Sequence, residues 1–216
     1  MKKTKNISEI QLITTIIFIV SFLISNIIAS KQFVLPFNIV MTGAVILFPV
    51  TYILSDIFSE IYGYKWSRIT CYMAFAFNVF MVLIFYIAIK LPPAGFWGNQ
   101  PAFETILGCS LRILIASMSA FVIGDFINDK IFKRLKLKHT DNIKGFGFRA
   151  IFSSIFGEFA DSFIFITIAF AGIIPLKDLP TMIIFQAVIK ILYEIILLPV
   201  NCFVVKKISD YESKIN

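Results

Sequence analysis

The sequence predicts an all-α integral membrane protein with six transmembrane helices and with both termini in the cytoplasm. Three observations support this fold class. The 216-residue chain is 58% hydrophobic and 15% charged, whereas soluble domains carry about 25% charged residues. Its apolar residues form runs close to the ~20 residues that a helix needs to cross a bilayer. Its positive charges concentrate in alternate connecting segments, as they do in membrane proteins of fixed orientation.

Six apolar runs predict the helices. We place them in one transmembrane domain, 1–216, at approximately 10–30, 37–55, 69–89, 105–128, 147–174 and 181–205. The first run is interpreted as a retained helix, because no cleavage signal of the A-x-A type follows it. The first three runs contain no charged residue, so they are expected mainly to frame the bundle. The last three runs contain charges and are therefore the more informative half.

The positive charges predict the orientation. With the N-terminus inside, fourteen of the twenty Lys and Arg residues fall on the cytoplasmic side: Lys2, Lys3, Lys5, Lys65, Arg68, Lys130, Lys133, Arg134, Lys136, Lys138, Lys144, Lys206, Lys207 and Lys214. The opposite side carries only Lys31, Lys90 and Lys177. Because positive charges in short loops resist translocation, this bias places both termini inside and accounts for the net charge of +7.

Several function classes are disfavoured by the motifs that the sequence lacks. There is no GxxxxGK[ST] loop, so the chain is not expected to hydrolyse ATP. The single histidine, His139, is expected to be solvated, and the three cysteines form no CxxC pair, so no metal site and no cofactor are expected. The basic segment at 130–139 is explained by topology, so no nucleic-acid partner is expected. A membrane enzyme is disfavoured because no nucleophile or histidine accompanies the intramembrane carboxylates.

Charged groups inside the predicted membrane spans are the candidate binding residues, because each costs at least ~2.5 kcal/mol at the bilayer centre unless it is paired or lines a cavity. Glu158 and Asp161 are three residues apart and share one helix face. Two carboxylates on one face imply a common partner. That partner is either a substrate or proton, or a basic residue such as Arg112 or Lys190 in a salt bridge, and both interpretations stay open.

The sixth span carries a polar stripe. Gln186, Lys190, Glu194 and Asn201 recur at spacings of four, four and seven, so they lie on one face that must point into the bundle. Lys190 and Glu194 either neutralise each other one turn apart or take part in binding. In the second span, Asp56 continues a similar line of polar residues towards the cytoplasmic end.

The fourth and fifth spans share a short internal similarity. The segments VIGDFIND (122–129) and IFGEFADS (155–162) each place an acidic residue after a glycine and a further amide or acid three residues later. Because the two predicted helices run in opposite directions, this pattern is consistent with a degenerate inverted repeat or with chance.

Four segments carry a resemblance to a known family. They are FPVTYILSDIFSEIYGYKWSR (48–68), LRILIASMSAFVIGDFINDKIFKRLK (111–136), FRAIFSSIFGEFADSFIFITIAFAG (148–172) and YEIILLPVNCFVVKKI (193–208). In this order they resemble the queuosine precursor transporters of the vitamin uptake transporter group, over residues of about 25 to 207. The chain departs from the family where members more often have an amide, at Asp125 and Glu158, and where they usually have Asp, at Asn128.

The resemblance implies a multi-pass carrier of the bacterial inner membrane that imports 7-deazaguanine bases, such as preQ0, preQ1 or queuine, for tRNA modification. We expect the substrate site near mid-membrane between spans four, five and six, with the base stacked on Phe121, Phe152 or Phe156. The candidate substrate-binding residues are Glu158, Asp161, Lys190, Glu194, Arg112, Asp125, Asn128, Gln186 and Asp56. The expected partners are a small-molecule substrate and the lipid bilayer, and homo-oligomerisation is left open. The chain works either as a secondary carrier or facilitator, or as the substrate-capturing subunit of a separate ATPase module.

Overall fold

The computed structural model describes residues 7–136 and 143–215. It does not describe the side chains of Phe37, Asp129, Phe132, Lys133, Lys136, 143–151 and 214–215. The prediction that His139 is solvated concerns the central part of the basic loop, which also lies outside the described residues. The elements are α1 (Glu9–Ile28), β1 (Gln32–Leu35), β2 (Ile39–Thr42), α2 (Phe48–Ile57), α3 (Tyr64–Lys90), α4 (Gln100–Gly108), α5 (Ser110–Lys136), α6 (Ile143–Phe170) and α7 (Leu179–Ile215). The fold is therefore all-α, as predicted, except for one two-stranded sheet.

The first helix, α1, begins where a capping residue meets the apolar run. The Ser8 hydroxyl accepts a hydrogen bond from the Gln11 amide at 3.0 Å, and Glu9 places a negative charge in the first turn. Inside the helix, the hydroxyls of Thr14 and Thr15 donate to backbone carbonyls one turn earlier. These polar side chains are therefore satisfied without leaving the apolar environment.

The second predicted helix, 37–55, differs from the observed structure. Residues 32–42 form an antiparallel hairpin in which Gln32 pairs with Thr42 and Leu35 with Ile39. A single-turn 3-10 helix at 36–38 closes it, with Pro36 at its start and Asn38 at a φ of 58°. Pro lacks an N–H donor and Asn tolerates the left-handed region, so this turn resists a continuous helix. The helical part of the second span begins only at Phe48.

The connection between hairpin and helix depends on a glycine. A Cβ atom at Gly43 would lie 2.5 Å from the carbonyl oxygen of Ile28, so only glycine allows the chain to pass this close to the end of α1. A 3-10 turn at 43–46 then leads into α2, which has a proline in its first turn. After α2, a π-helical turn at 58–62 ends at Gly63, whose φ of 82° favours glycine.

The bundle of helices has two ends. We call them the terminal end, where the first and last described segments meet, and the hairpin end, where the β1–β2 hairpin lies. At the terminal end, Glu212 near the end of α7 accepts hydrogen bonds from Ser8 and from the Tyr62 hydroxyl. At the hairpin end, Ile28 meets Gly43. The first and last described segments therefore lie at the same end of the bundle.

The direction of the helices follows from their contacts. The Trp66 indole donates to the Thr15 hydroxyl at 3.3 Å, and the rings of Phe75 and Phe22 are 5.4 Å apart, so α1 and α3 run parallel. Because parallel neighbours begin at the same end, residues 39–62 must return from the hairpin end to the terminal end. An extended segment followed by a short helix thus replaces the expected single helix.

Within the described residues, five helical stretches are long and apolar enough to cross a membrane. They are Glu9–Ile28, Tyr64–Lys90, Gln100–Asn128, Phe152–Phe170 and Leu179–Ser213. The third of these, predicted as one helix over 105–128, is divided at Cys109 into α4 and α5. Many of the apolar side chains on these helices are exposed in the isolated chain, as lipid-facing residues must be.

The closest helix crossing joins α5 and α6. A Cβ atom at Gly124 would lie 3.0 Å from the Cβ of Asp161, and one at Gly157 would lie 2.9 Å from the Cβ of Asn128. Small residues at such crossings let two backbones approach closely. Each glycine packs against the residue four positions after the other glycine. The similarity between segments 122–129 and 155–162 therefore corresponds to a local two-fold-like contact.

Candidate functional site

The candidate site is a cavity of about 430 Å³ between α1, α2, α5, α6 and α7. Its lining contains eight of the nine candidate residues: Asp56, Asp125, Asn128, Glu158, Asp161, Gln186, Lys190 and Glu194. Towards the hairpin end the lining residues Ala29 and Ala44 are 1% and 4% exposed. Towards the terminal end Asp56 is exposed. The cavity therefore opens to the terminal end.

Lys190 is the charged centre of this cavity. Its ammonium lies 3.1 Å from a carboxylate oxygen of Glu158 and forms a second ion pair with Asp161. The Lys190 side chain is 9% exposed, whereas those of Glu158 and Asp161 are 21% and 24% exposed. Lys190 is thus the common partner of the two carboxylates, and it holds α7 against α6. The group contains two negative charges and one positive charge.

The wall opposite Lys190 comes from α2, which sequence reasoning had assigned to the frame. The Tyr52 hydroxyl donates to the Glu158 carboxylate at 3.1 Å, and the Lys190 ammonium lies 5.3 Å from the centroid of the Phe48 ring. The rings of Phe48 and Tyr52 pack edge to face, 6.3 Å apart. An aromatic surface therefore borders the charged group on the side of α2.

The inner end of the cavity is polar and closely packed. Gln186 is 1% exposed, and its side-chain carbonyl accepts a hydrogen bond from the Thr42 hydroxyl at 3.5 Å. Thr42 is fully buried at the end of β2. The hairpin thus delivers a hydroxyl to the polar stripe of α7, which a continuous helix over 37–55 would place differently.

Glu194 lies one turn from Lys190 but is not its partner. Among the described residues no cation lies within salt-bridge distance of Glu194, because Lys190 turns to α6 instead. The carboxylate of Glu194 forms a hydrogen bond with the Ser154 hydroxyl and interacts electrostatically with the carboxylates of Glu158 and Asp56. The proposed neutralisation of Lys190 by Glu194 along one helix is therefore wrong.

Two further acidic residues lie near the terminal end. Asp56 accepts a hydrogen bond from the side-chain amide of Asn201 on α7. Asp125 pairs with Arg68 of α3 at 2.7 Å, with side chains that are 38% and 22% exposed. Asn128 lines the cavity and packs against Gly157.

Arg112 lies apart from the other candidates, at the hairpin end. Its guanidinium donates to the carbonyl oxygens of Ile168 and Ala171, which lie at the end of α6. It thereby satisfies carbonyls that a helix terminus leaves without partners. Arg112 borders a second, smaller cavity of about 240 Å³. It does not contact Glu158 or Asp161.

Sequence reasoning did not select several residues of the site. Tyr52 lies four residues before Asp56 and therefore on the same helix face. This spacing could have identified Tyr52 as a candidate site residue. Phe48 carried no such signal, since one aromatic among 25 phenylalanines does not stand out. Of the three aromatic residues proposed for stacking, Phe121 lines the cavity, whereas the described lining does not include Phe152 or Phe156.

Comparison with known proteins gives one result. A family model described as "Putative vitamin uptake transporter" matches residues 42–204, more than half of the chain. The match begins at Thr42, the last residue of β2, and covers α2, α5, α6 and the cavity-lining part of α7, including Glu158 and Asp161. No curated protein and no solved structure gives a significant match.

Proposed function

Because the chain belongs to the vitamin uptake transporter family, we propose that it imports 7-deazaguanine bases across the bacterial cytoplasmic membrane. These are precursors of a modified tRNA base, such as preQ0, preQ1 or queuine. The chain acts as a secondary carrier or facilitator. The observation that carries this proposal is the buried group formed by Lys190, Glu158 and Asp161 in an open cavity.

The chemistry of this group fits the polar edge of a guanine-like base. Such an edge presents two adjacent donors, the ring N1–H and the exocyclic amine, beside one carbonyl acceptor. A carboxylate can accept both donors at once, and an ammonium can donate to the carbonyl. Glu158 or Asp161 serves as the acceptor and Lys190 as the donor. The base replaces part of their mutual pairing, so the charges stay partnered when substrate arrives.

The size and the walls of the cavity support a flat, bicyclic ligand. A volume of about 430 Å³ lies in the range of small-molecule sites. Phe48, Tyr52 and Phe121 offer ring surfaces on which the base stacks. The Tyr52 hydrogen bond holds Glu158 in place before substrate binds, which lowers the ordering cost of binding.

We also propose six membrane crossings, with both termini in the cytoplasm. The return path of residues 39–62 supplies the sixth crossing, and the meeting of Ser8, Tyr62 and Glu212 places the described ends of the chain together. Non-helical backbone at membrane depth is tolerated where protein buries it, as it is around Thr42 and Gly43. The excess of Lys and Arg at the terminal end then faces the cytoplasm. A reporter fused after Asn216 that is active only in the cytoplasm should be active.

Uptake of a labelled 7-deazaguanine by the chain alone tests the proposed function. The host should lack its own carrier and any vitamin-uptake ATPase module. We expect uptake by the unaltered chain and none by Glu158→Ala or Asp161→Ala at equal membrane abundance. Glu104→Ala is the matched control, because Glu104 is exposed on α4 and outside the cavity. Uptake that both cavity variants retain would overturn the site. Uptake that requires an added ATPase module would instead identify a substrate-capturing subunit.

A further inference from the structure

Asn201 leaves a polar atom without a partner at the mouth of the cavity. Asn201 is 8% exposed, and its side-chain amide nitrogen donates to Asp56. Its carbonyl oxygen, Oδ1, is buried and accepts no hydrogen bond. A buried acceptor without a donor is costly, so a donor that reached this atom would be stabilised there.

A proton on Asp56 would provide this donor. An ionised carboxylate only accepts hydrogen bonds, whereas a protonated carboxyl group also donates one. With the proton in place, the carboxyl O–H of Asp56 donates to Oδ1 of Asn201 while the amide of Asn201 donates to the other carboxyl oxygen. The acid and the amide then satisfy each other in two reciprocal hydrogen bonds.

The charges around Asp56 also favour a bound proton. Groups that interact with it or with its neighbour Glu194 come from its own segment, from α6 and from α7: Tyr52, Glu60, Glu158, Ser154 and Asn201. None of these groups is a cation, and the Lys190 ammonium is paired with Glu158 and Asp161. Across the described part of the chain, no cation lies within salt-bridge distance of Asp56 or Glu194. Like charges disfavour simultaneous ionisation, and one proton relieves this repulsion.

We propose that Asp56, paired with Asn201, binds a proton that moves inward together with the substrate. This inference rests on the proposed function and adds the driving force. The carboxylate gains one proton when the cavity faces outside, which forms an O–H bond. The same bond breaks when the cavity opens to the terminal end, where Asp56 is exposed and the proton passes to cytoplasmic water. One base and one proton enter together, and nothing is oxidised or reduced.

Proteoliposomes that contain the purified full chain test the coupling. Labelled 7-deazaguanine is added outside, with an inward proton gradient, an inward sodium gradient or no gradient, and with the membrane potential clamped. The unaltered chain should accumulate the base at least tenfold above equilibrium with the proton gradient only. Asp56→Asn should still exchange labelled for unlabelled base but should not accumulate it. Glu104→Gln, on the exposed surface of α4 and outside the cavity lining, should accumulate it like the unaltered chain.

A second variant protects the test against a folding defect in the first. Asn201→Ala removes the acceptor for the Asp56 proton, so the proton-driven accumulation should fall at least fivefold. Accumulation by Asp56→Asn equal to that of the unaltered chain would overturn the proposal, as would accumulation driven by sodium. Exchange without any proton-driven accumulation by the unaltered chain would overturn the coupling but leave the proposed function intact. Absence of exchange in every preparation would overturn both.

Discussion

The two ends of the bundle differ in what fills the space between the helices. At the hairpin end, small and aromatic side chains such as Ala44, Ala116 and Phe170 form one continuous buried cluster. Towards the terminal end, the space between α2, α5, α6 and α7 is an open cavity bordered by Asp56, Asp125 and Glu194. Close packing fills most of the hairpin end, apart from the smaller cavity beside Arg112, whereas acidic side chains border the open space towards the terminal end.

This difference indicates how a carrier of this size can work. Alanine side chains let helices pack closely, but each buries little surface. Separating helices at these contacts therefore costs little free energy. Carboxylates are strongly hydrated groups, so closing the terminal end around them carries a desolvation cost. The Lys190 group lies inside the cavity, next to Phe48, which packs against the buried cluster. A substrate bound there can bias which end is closed, provided that it contacts both sides.

The largest expected effect comes from removing the central cation. Lys190→Ala leaves Glu158 and Asp161 without their partner in a mostly enclosed place. Breaking such a pair costs about 3–5 kcal/mol. We therefore expect uptake to fall at least ~100-fold and the unfolding temperature in detergent to drop. Lys177→Ala, in an exposed connection, is the control and should change neither quantity. Normal uptake by Lys190→Ala would show that the centre of the bundle does not link its two ends.

The helix crossing should be the next most sensitive feature. Gly157→Ala places a Cβ atom 2.9 Å from the Cβ of Asn128, so α5 and α6 must move apart. Overpacking of this kind costs about 1–3 kcal/mol. Thermal unfolding of the purified variant measures this loss. Gly108→Ala, where a Cβ meets nothing within 4 Å, should unfold at the original temperature. Equal unfolding temperatures for the unaltered chain and both variants would mean that α5 and α6 can move apart at this crossing without loss of stability.

A smaller effect is expected from the hydroxyl of Tyr52. Tyr52→Phe keeps the ring but removes the hydrogen bond to Glu158, which contributes ~1 kcal/mol. Substrate affinity should fall about fivefold, while uptake at saturating substrate stays near its original rate. Isothermal titration with a 7-deazaguanine measures the affinity. Tyr72→Phe, on the exposed face of α3, serves as the matched change. A loss as large as that of Glu158→Ala would assign Tyr52 a direct role in contacting the base.

The sequence alone predicted the helices that consist of one long apolar run. The helices α1, α3, α6 and α7 start or end within a few residues of their predicted limits, because the length of an apolar run constrains a helix in lipid strongly. The second span was different, since the same apolar length also fits a hairpin followed by a short helix. The turn was signalled by Pro36, Asn38 and Gly43. A search for stretches without charged residues does not consider these residue types.

The candidate site was predictable as a set of residues and not as a set of contacts. Periodicity placed Lys190 and Glu194 on one face, and both border the cavity. It could not determine that Lys190 reaches across to α6, since that choice depends on how α6 and α7 pack against each other. Arg112 was selected by the same rule of intramembrane charge. It serves the end of α6 instead, where the carbonyl oxygens of Ile168 and Ala171 accept its hydrogen bonds.

The smallest effect is expected at the acidic mouth, where a pair resembles the central one in sequence but not in burial. Asp125 and Glu158 each follow a crossing glycine, and each pairs with a cation on a neighbouring helix. Because Asp125 and Arg68 are 38% and 22% exposed, water screens them, and such pairs contribute about 0–1 kcal/mol. A double-mutant cycle with Arg68→Ala and Asp125→Asn, followed by thermal unfolding, measures the coupling. A value above ~2 kcal/mol would contradict this account, because specific pairing would then hold the mouth, and burial would not distinguish the two pairs.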